Sequence, residues 1–109
     1  MMKFFYDKSK TLLIALDSEI VHASVKELTQ AITWSIDDLK PTKCILDFMD
    51  VEFMDASGIA MIINILRSMV RIEGALVLTD LKDQPMRVLR ASGVDKLVSI
   101  EDKLDFDKL

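Results

Sequence analysis

Short runs of apolar residues alternate along this chain with longer stretches in which apolar positions recur every three or four residues. Lys3 to Asp7 and Thr11 to Leu16 are two such runs, separated by the polar Lys8-Ser9-Lys10, and their spacing predicts a β-hairpin. Ser24 and Glu27 stand three apart in the manner of a capping box, and Val25, Leu28, Ile32, Ile36 and Leu39 follow as one apolar stripe. A helix is therefore expected up to Pro41. Cys44 to Phe48 reads as a buried strand. A second helix is expected from Ser57 to about Ile72, closed by Gly74 in the position favoured just past a helix C-terminus. Ala75 to Thr79 is a continuous apolar run, which predicts an interior strand covered on both faces. Pro85 suits the first turn of a short helix that Gly93 stops. Leu97-Val98-Ser99 predicts a last strand and Asp102 to Leu109 a weak terminal helix, in a tail expected to fray after Glu101. Strands alternating with helices require crossover connections. The expected fold is thus α/β: a small mixed, mostly parallel sheet of four to five strands, opened by an antiparallel hairpin and flanked by about four helices.

The faces of the second helix follow from a turn of 100° per residue. Ile59, Ile62, Ile63, Leu66 and Val70 gather on one side, which is expected to face the core. Ser57, Asn64, Ser68 and Arg71 fall opposite, with Ala60 and Arg67 at one edge, so Ser57 is expected to meet solvent. Met61, Ile65 and Ile72 widen the apolar arc at the other edge. Either they form a docking patch beside Ser57, or a second helix covers Met61 and Ile65.

Composition removes several classes of function. The chain has 109 residues, half of them hydrophobic, which suits one compact domain over 1–109 that buries roughly two-thirds of the surface of its unfolded form. A formal net charge of -4 argues against a generic nucleic-acid binder and against anionic membranes. Cys44 is the only cysteine, so no intrachain disulfide forms, and it reads as a small buried thiol in a protein of the reducing cytoplasm. The apolar patch Met1 to Tyr6 meets Asp7 too early for a signal-peptide core. Gly58 to Leu66, interrupted by Asn64 and closed by Arg67, falls well short of the roughly 20 apolar residues of a membrane span. One His and one Cys do not build a zinc site, and three glycines leave no phosphate-cradling loop. The residue two before Ser57 is Asp55, so the chain lacks a Gly-x-Ser-x-Gly elbow, and His22 belongs to the turn before the first helix. Intrinsic catalysis is not expected, nor is a cofactor or bound metal.

The most informative stretch is Asp55-Ala56-Ser57-Gly58-Ile59, which places a hydroxyl where the apolar strand gives way to a helix. A serine there is expected to face unpaired backbone N–H groups and the positive end of the helix dipole, so a phosphate added to it is stabilised. The plainer reading makes Ser57 a capping hydroxyl worth about 1 kcal/mol and Asp55 a helix cap.

The run from Ile45 to Ile59, with Leu46-Asp47, Val51 and Asp55-Ala56-Ser57-Gly58-Ile59, resembles the signature of STAS domains, in particular the bacterial anti-sigma-factor antagonists. The likeness covers nearly the whole chain: Leu16, Glu19 and Ile20 stand where that family has a Gly-Glu-Leu-Asp turn, and Leu89, Ser92, Gly93 and Leu97 resemble its C-terminal segment. The resemblance implies a small mixed sheet flanked by helices and a serine, here Ser57, phosphorylated by a partner kinase. That partner is an anti-sigma factor of the GHKL ATPase type, which consumes the ATP. The unphosphorylated antagonist binds the kinase and frees a sigma factor, and a metal-dependent serine phosphatase of PP2C type resets the cycle. The expected partner-binding residues are Asp55, Ala56, Gly58, Met61, Asn64, Glu19 and His22. Two departures stand out. The family's first serine is Ala56, which leaves Ser57 as the only acceptor, and in Asp17-Ser18-Glu19-Ile20-Val21 the family's Gly is Ser18 and its final acid Val21. STAS-like proteins also serve as unphosphorylated scaffold subunits or govern polysaccharide and secretion systems, and these alternatives share the expected fold.

Overall fold

The computed structural model describes residues 2–102. Strands β1 (Lys3–Tyr6) and β2 (Thr11–Ala15) form the expected hairpin, its turn tightened by Asp7 Oδ1, which accepts from the backbone N–H groups of Ser9 and Thr11. Helix α1 (His22–Leu39) crosses to β3 (Lys43–Asp47), α2 (Ser57–Arg71) to β4 (Ala75–Thr79), and α3 (Asp83–Ser92) with a 3₁₀ turn (Val94–Lys96) to β5 (Ser99–Glu101). The sheet order is β1-β2-β3-β4-β5. β1 runs antiparallel to β2, and the other neighbours are parallel, as the crossovers require. Leu12, Ile14, Cys44, Leu46, Leu76 and Leu78 line one face and share a core with Ile32 and Ile36 of α1, Met61, Ile62, Ile65 and Met69 of α2, and Leu89 of α3. Leu13, Ile45 and Val77 form a second buried cluster on the opposite face. Burial pushes the Cys44 thiol up to about 12, so it is an inert core group.

Several boundaries differ from the sequence pattern, each for a local reason. Helix α1 starts two residues before Ser24, with Val21 as its N-cap; Ser24 Oγ reaches back to accept from the Val21 N–H at 3.2 Å, so Ser24 closes the first turn from inside. The left-handed residue after α2 is Glu73 at φ 60°, not Gly74. Gly74 is required for closeness instead: a Cβ there would lie 2.5 Å from Met69 Cε and 3.1 Å from the carbonyls of Pro41 and Thr42. The last strand begins at Ser99, because Leu97 still accepts the geometry of the 3₁₀ turn, its N–H bonded to the Val94 carbonyl. Three α-helices lie among the described residues; the expected terminal helix at Asp102 to Leu109 falls outside them, apart from Asp102.

The largest correction concerns α2. Its buried residues are Gly58, Met61, Ile62, Ile65, Ser68 and Met69, whereas Val70 is 62% exposed and Ile59, Ile63 and Leu66 are only partly covered. The helix is rolled away from the orientation that docking on a sheet alone would give. The cause is α1, which packs along the Met61 and Ile65 edge, so the core lies between sheet and neighbouring helix. Met61 and Ile65 are covered, and no docking patch exists there. Ser68, expected on the polar side, is buried with them.

Candidate functional site

The segment between β3 and α2 is pinned at both levels of the core. Phe48, Val51 and Met54 are wholly buried along it. Ile20, just before α1, pairs with Met54 in an isolated parallel bridge: its N–H donates to the Phe53 carbonyl and its carbonyl accepts from the Asp55 N–H. Gln84, in the first turn of α3, holds Met54 from the other side, accepting from the Met54 N–H at 2.8 Å and donating to its carbonyl at 2.9 Å. Lys82 and Glu52 form an ion pair beside it. These contacts bring the starts of α1 and α2 together.

Asp55 joins the two starts. Its Oδ1 accepts from the Ser57 N–H at 2.9 Å and from the Ser57 hydroxyl, while Oδ2 accepts from the His22 N–H at 3.1 Å. His22 and Ser57 are the first residues of α1 and α2, so one carboxylate receives the leading amide of each helix. The Ser57 hydroxyl, then the backbone N–H groups of Ser57 and His22 and the nearby His22 ring, hold the Asp55 carboxyl below the usual carboxylate range against a smaller opposing effect of desolvation. The arrangement also accounts for Val21. Valine at the N-cap of α1 offers no side-chain acceptor, and Asp55 supplies one from across the gap.

Two expectations about this junction change. Ser57 is not the cap of α2; the N-cap position is Ala56, and the capping side chain is Asp55. Nor are the first amides unpaired: beyond the Ser57 N–H, that of Gly58 bonds to the Asp55 carbonyl at 3.0 Å and that of Ile59 to the Ala56 carbonyl at 3.1 Å.

Ser57 is half-buried and forms part of one wall of an open groove of about 360 Å³ between the two helices. Ala60, Met61 and Asn64 continue that wall, and His22, Val25, Lys26, Thr29 and Gln30 of α1 face it. The structure thus brings Ser57, Asp55, His22 and Asn64 to one place, with the exposed Ala56 and Glu19 near the helix starts. His22 is not remote from Ser57, as its place in the chain implied. Gly58 and Met61 are different. Gly58 is buried, and a Cβ on it would lie 2.4 Å from Met54 Cγ and 3.1 Å from Ile20 Cγ2; Met61, 1% exposed, is groove floor with almost no area to offer a partner. Both serve the packing that sets Ser57 in position. Lys26, Gln30 and Gln84 are the residues missed from sequence. Lys26 lies one turn beyond His22, a spacing that becomes visible only once α1 is started at His22.

Among the described residues no group of His, Cys, Asp and Glu is placed to hold a metal, and no helix is long and apolar enough to cross a membrane.

The family model of the STAS domain matches residues 6–106, and the chain belongs to that family. A putative anti-sigma factor antagonist from Thermotoga maritima shares the fold with a TM-score of 0.83 at 22% identity, over 94% of this chain and 87% of the other. The phosphorylated form of the Bacillus cell-fate determinant SpoIIAA, an anti-sigma factor antagonist, aligns with a TM-score of 0.71 at 22% identity, over 94% and 92%. A sulfate transporter family protein from Wolinella succinogenes gives 0.76 at 15% identity, over 93% and 83%.

Proposed function

We propose that this protein is a partner-switching regulator of the anti-sigma-factor antagonist type. Unphosphorylated, it binds a GHKL-type serine kinase that is also an anti-sigma factor; phosphorylation of Ser57 by that kinase releases it, and a PP2C-type phosphatase restores the hydroxyl. The cycle runs in the cytoplasm. The observation that carries this reading is the Ser57 hydroxyl, oriented by Asp55 on the wall of an open groove where two helices begin. In the transfer, the Ser57 Oγ–P bond forms as the bond from the γ-phosphorus of ATP to its bridging oxygen breaks. ADP departs, and the hydroxyl proton passes to the Asp55 carboxylate that already accepts it as a hydrogen bond. A surface fitted to a neutral hydroxyl then meets about -1.5 to -2 charges and three acceptor oxygens, which disfavours docking by bulk and by charge.

A hydrolase reading has less support. The Ser57 hydroxyl donates to a carboxylate held below its ordinary range, a far weaker base than the imidazole that activates a serine nucleophile in a hydrolase. The unphosphorylated scaffold is a closer competitor, since it needs only the fold, and the Ser57 hydroxyl beside the groove is what favours the switch over it.

Incubation with its cognate GHKL-type kinase and ATP, followed by mass spectrometry, is expected to place one phosphate on Ser57. A scaffold subunit stays unmodified. In pull-downs, Ser57→Ala is expected to keep the kinase bound in the presence of ATP, and Ser57→Asp to weaken the complex at least tenfold, about 1.4 kcal/mol. Indistinguishable binding by the two variants would remove the switch.

A further inference from the structure

The proposal concerns where the phosphoryl group goes once it is attached, and it rests on the reading of Ser57 as the modified residue. The backbone of α2 has little to offer it. The N–H groups of Ser57, Gly58 and Ile59 already bond to Asp55 Oδ1, the Asp55 carbonyl and the Ala56 carbonyl, and the leading amide of α1 at His22 is held by Asp55 Oδ2. Asp55 itself becomes hostile. It accepts the hydrogen that the phosphoryl group replaces, so a carboxylate and a phosphate would stand side by side with no proton between them. The group must turn away from Asp55, and the open direction from Ser57 is the groove.

The groove is suited to an anion in three respects. Its lining includes Lys26 and His22, which stand one turn apart on α1, and no carboxylate is among its described lining residues, although the chain as a whole carries a formal charge of -4. Gln30 and Asn64 add neutral donors farther along the same walls. Its volume of about 360 Å³ leaves room for a phosphoryl group on the Ser57 side chain without displacing the packed Met61. We propose that phosphorylated Ser57 is clamped within its own chain by the side chains of Lys26 and His22, so that the phosphate bridges α2 to α1 and fills the groove between them. The switch then withdraws two things from a partner at once: the bare hydroxyl, and the cleft with its cationic wall.

The test uses the full chain with phosphoserine incorporated at position 57 during translation, so that no kinase is needed. Phosphorus NMR follows the second ionisation of that phosphoserine, ordinarily near pH 6, in the otherwise unaltered chain and in Lys26→Met, His22→Gln and the double variant. The charged and titratable groups that face it are Lys26 and His22 from α1 and Asp55 from the loop; α2 contributes Ala60, Met61 and Asn64. Removing the two donors is expected to raise the ionisation by about half a unit to one unit, a threefold to tenfold change in proton affinity. Lys26→Arg is expected to keep the low value. Both positions are exposed, and circular dichroism checks that each variant is folded. An ionisation unmoved in the folded double variant, or one that Lys26→Arg shifts as far as Lys26→Met does, overturns the clamp. A kinase assay that leaves Ser57 unmodified would remove the regulatory reading and leave this result standing. An unperturbed titration in a chain that the kinase does modify would remove the clamp alone.

Discussion

The segment that joins β3 to α2 has an aspartate at each end, and the two are treated in opposite ways. Asp55, at the helix end, receives the hydroxyl and N–H of Ser57 and the N–H of His22, which hold its carboxyl below the ordinary range. Asp47, at the strand end, accepts the Met49 N–H at 2.9 Å, yet burial and then the nearby Asp80 and Asp50 push its carboxyl up. One end gathers donors, and the other gathers acids. Within this segment a carboxylate is favoured at the end where the two helices begin, and that is where the serine stands. The contrast separates a carboxylate held ionised by its donors from one that burial and its neighbours push toward the protonated form.

The tightness of the helix end is the feature whose loss should be felt most. Gly58→Ala would set a methyl group 2.4 Å from Met54 Cγ and 2.5 Å from its sulfur, and Met54 is wholly buried with its backbone held by Gln84. Urea unfolding is expected to show a loss of about 1–3 kcal/mol. An unchanged midpoint would mean that the junction is slack and that Asp55 is not held where two amides meet it.

Asp55→Ala comes next. It removes the acceptor shared by both helix starts, and a drop in Tm of roughly 5 °C is expected at neutral pH. The sign of the pH dependence follows from the depressed carboxyl. The stabilisation from ionised Asp55 is fully present above the unfolded value near 3.9 and is lost as pH falls through the lower folded value. The gap in Tm between the two proteins should therefore be widest at neutral pH and narrow below about pH 4. A gap independent of pH would leave Asp55 as an uncharged spacer and erase the contrast with Asp47.

Much of this arrangement was legible in the sequence, and what was not has a common origin. Strands, crossovers and the serine at the helix start follow from local pattern, because each depends on neighbours within a turn or a strand. Ala75–Thr79 and the stop at Gly93, left-handed at φ 82°, fall where the sequence placed them. The roll of α2 is not local. It depends on α1 lying against Met61 and Ile65, and nothing in the helix's own periodicity says which side a second helix will take. The same limit hid half of the cap. Asp55 reads in the sequence as a cap for α2, as it is, but its second oxygen serves α1, 33 positions earlier in the chain. Lys26 and Gln84 act from other helices and carry no motif.

Asp47 gives the smallest and sharpest test of the comparison. Its folded carboxyl is raised, so its favourable contribution belongs to the protonated form. That contribution is full below the unfolded value near 3.9 and is lost as pH rises through the folded value, which leaves the ionised group a burden at neutral pH. Asp47→Asn keeps an oxygen for the Met49 N–H and removes the charge that Asp80 and Asp50 oppose. It should raise stability at pH 7 by less than about 1 kcal/mol, a small gain because Asp47 is only half-buried and water screens it. The gain should fade below about pH 4, where the native aspartate is itself protonated. The matching change at the other end, Asp55→Asn, is expected to destabilise at pH 7. If both substitutions moved Tm in the same direction, the two ends would share one electrostatic environment, and the ionised carboxylate that orients the Ser57 hydroxyl would have lost its distinguishing feature.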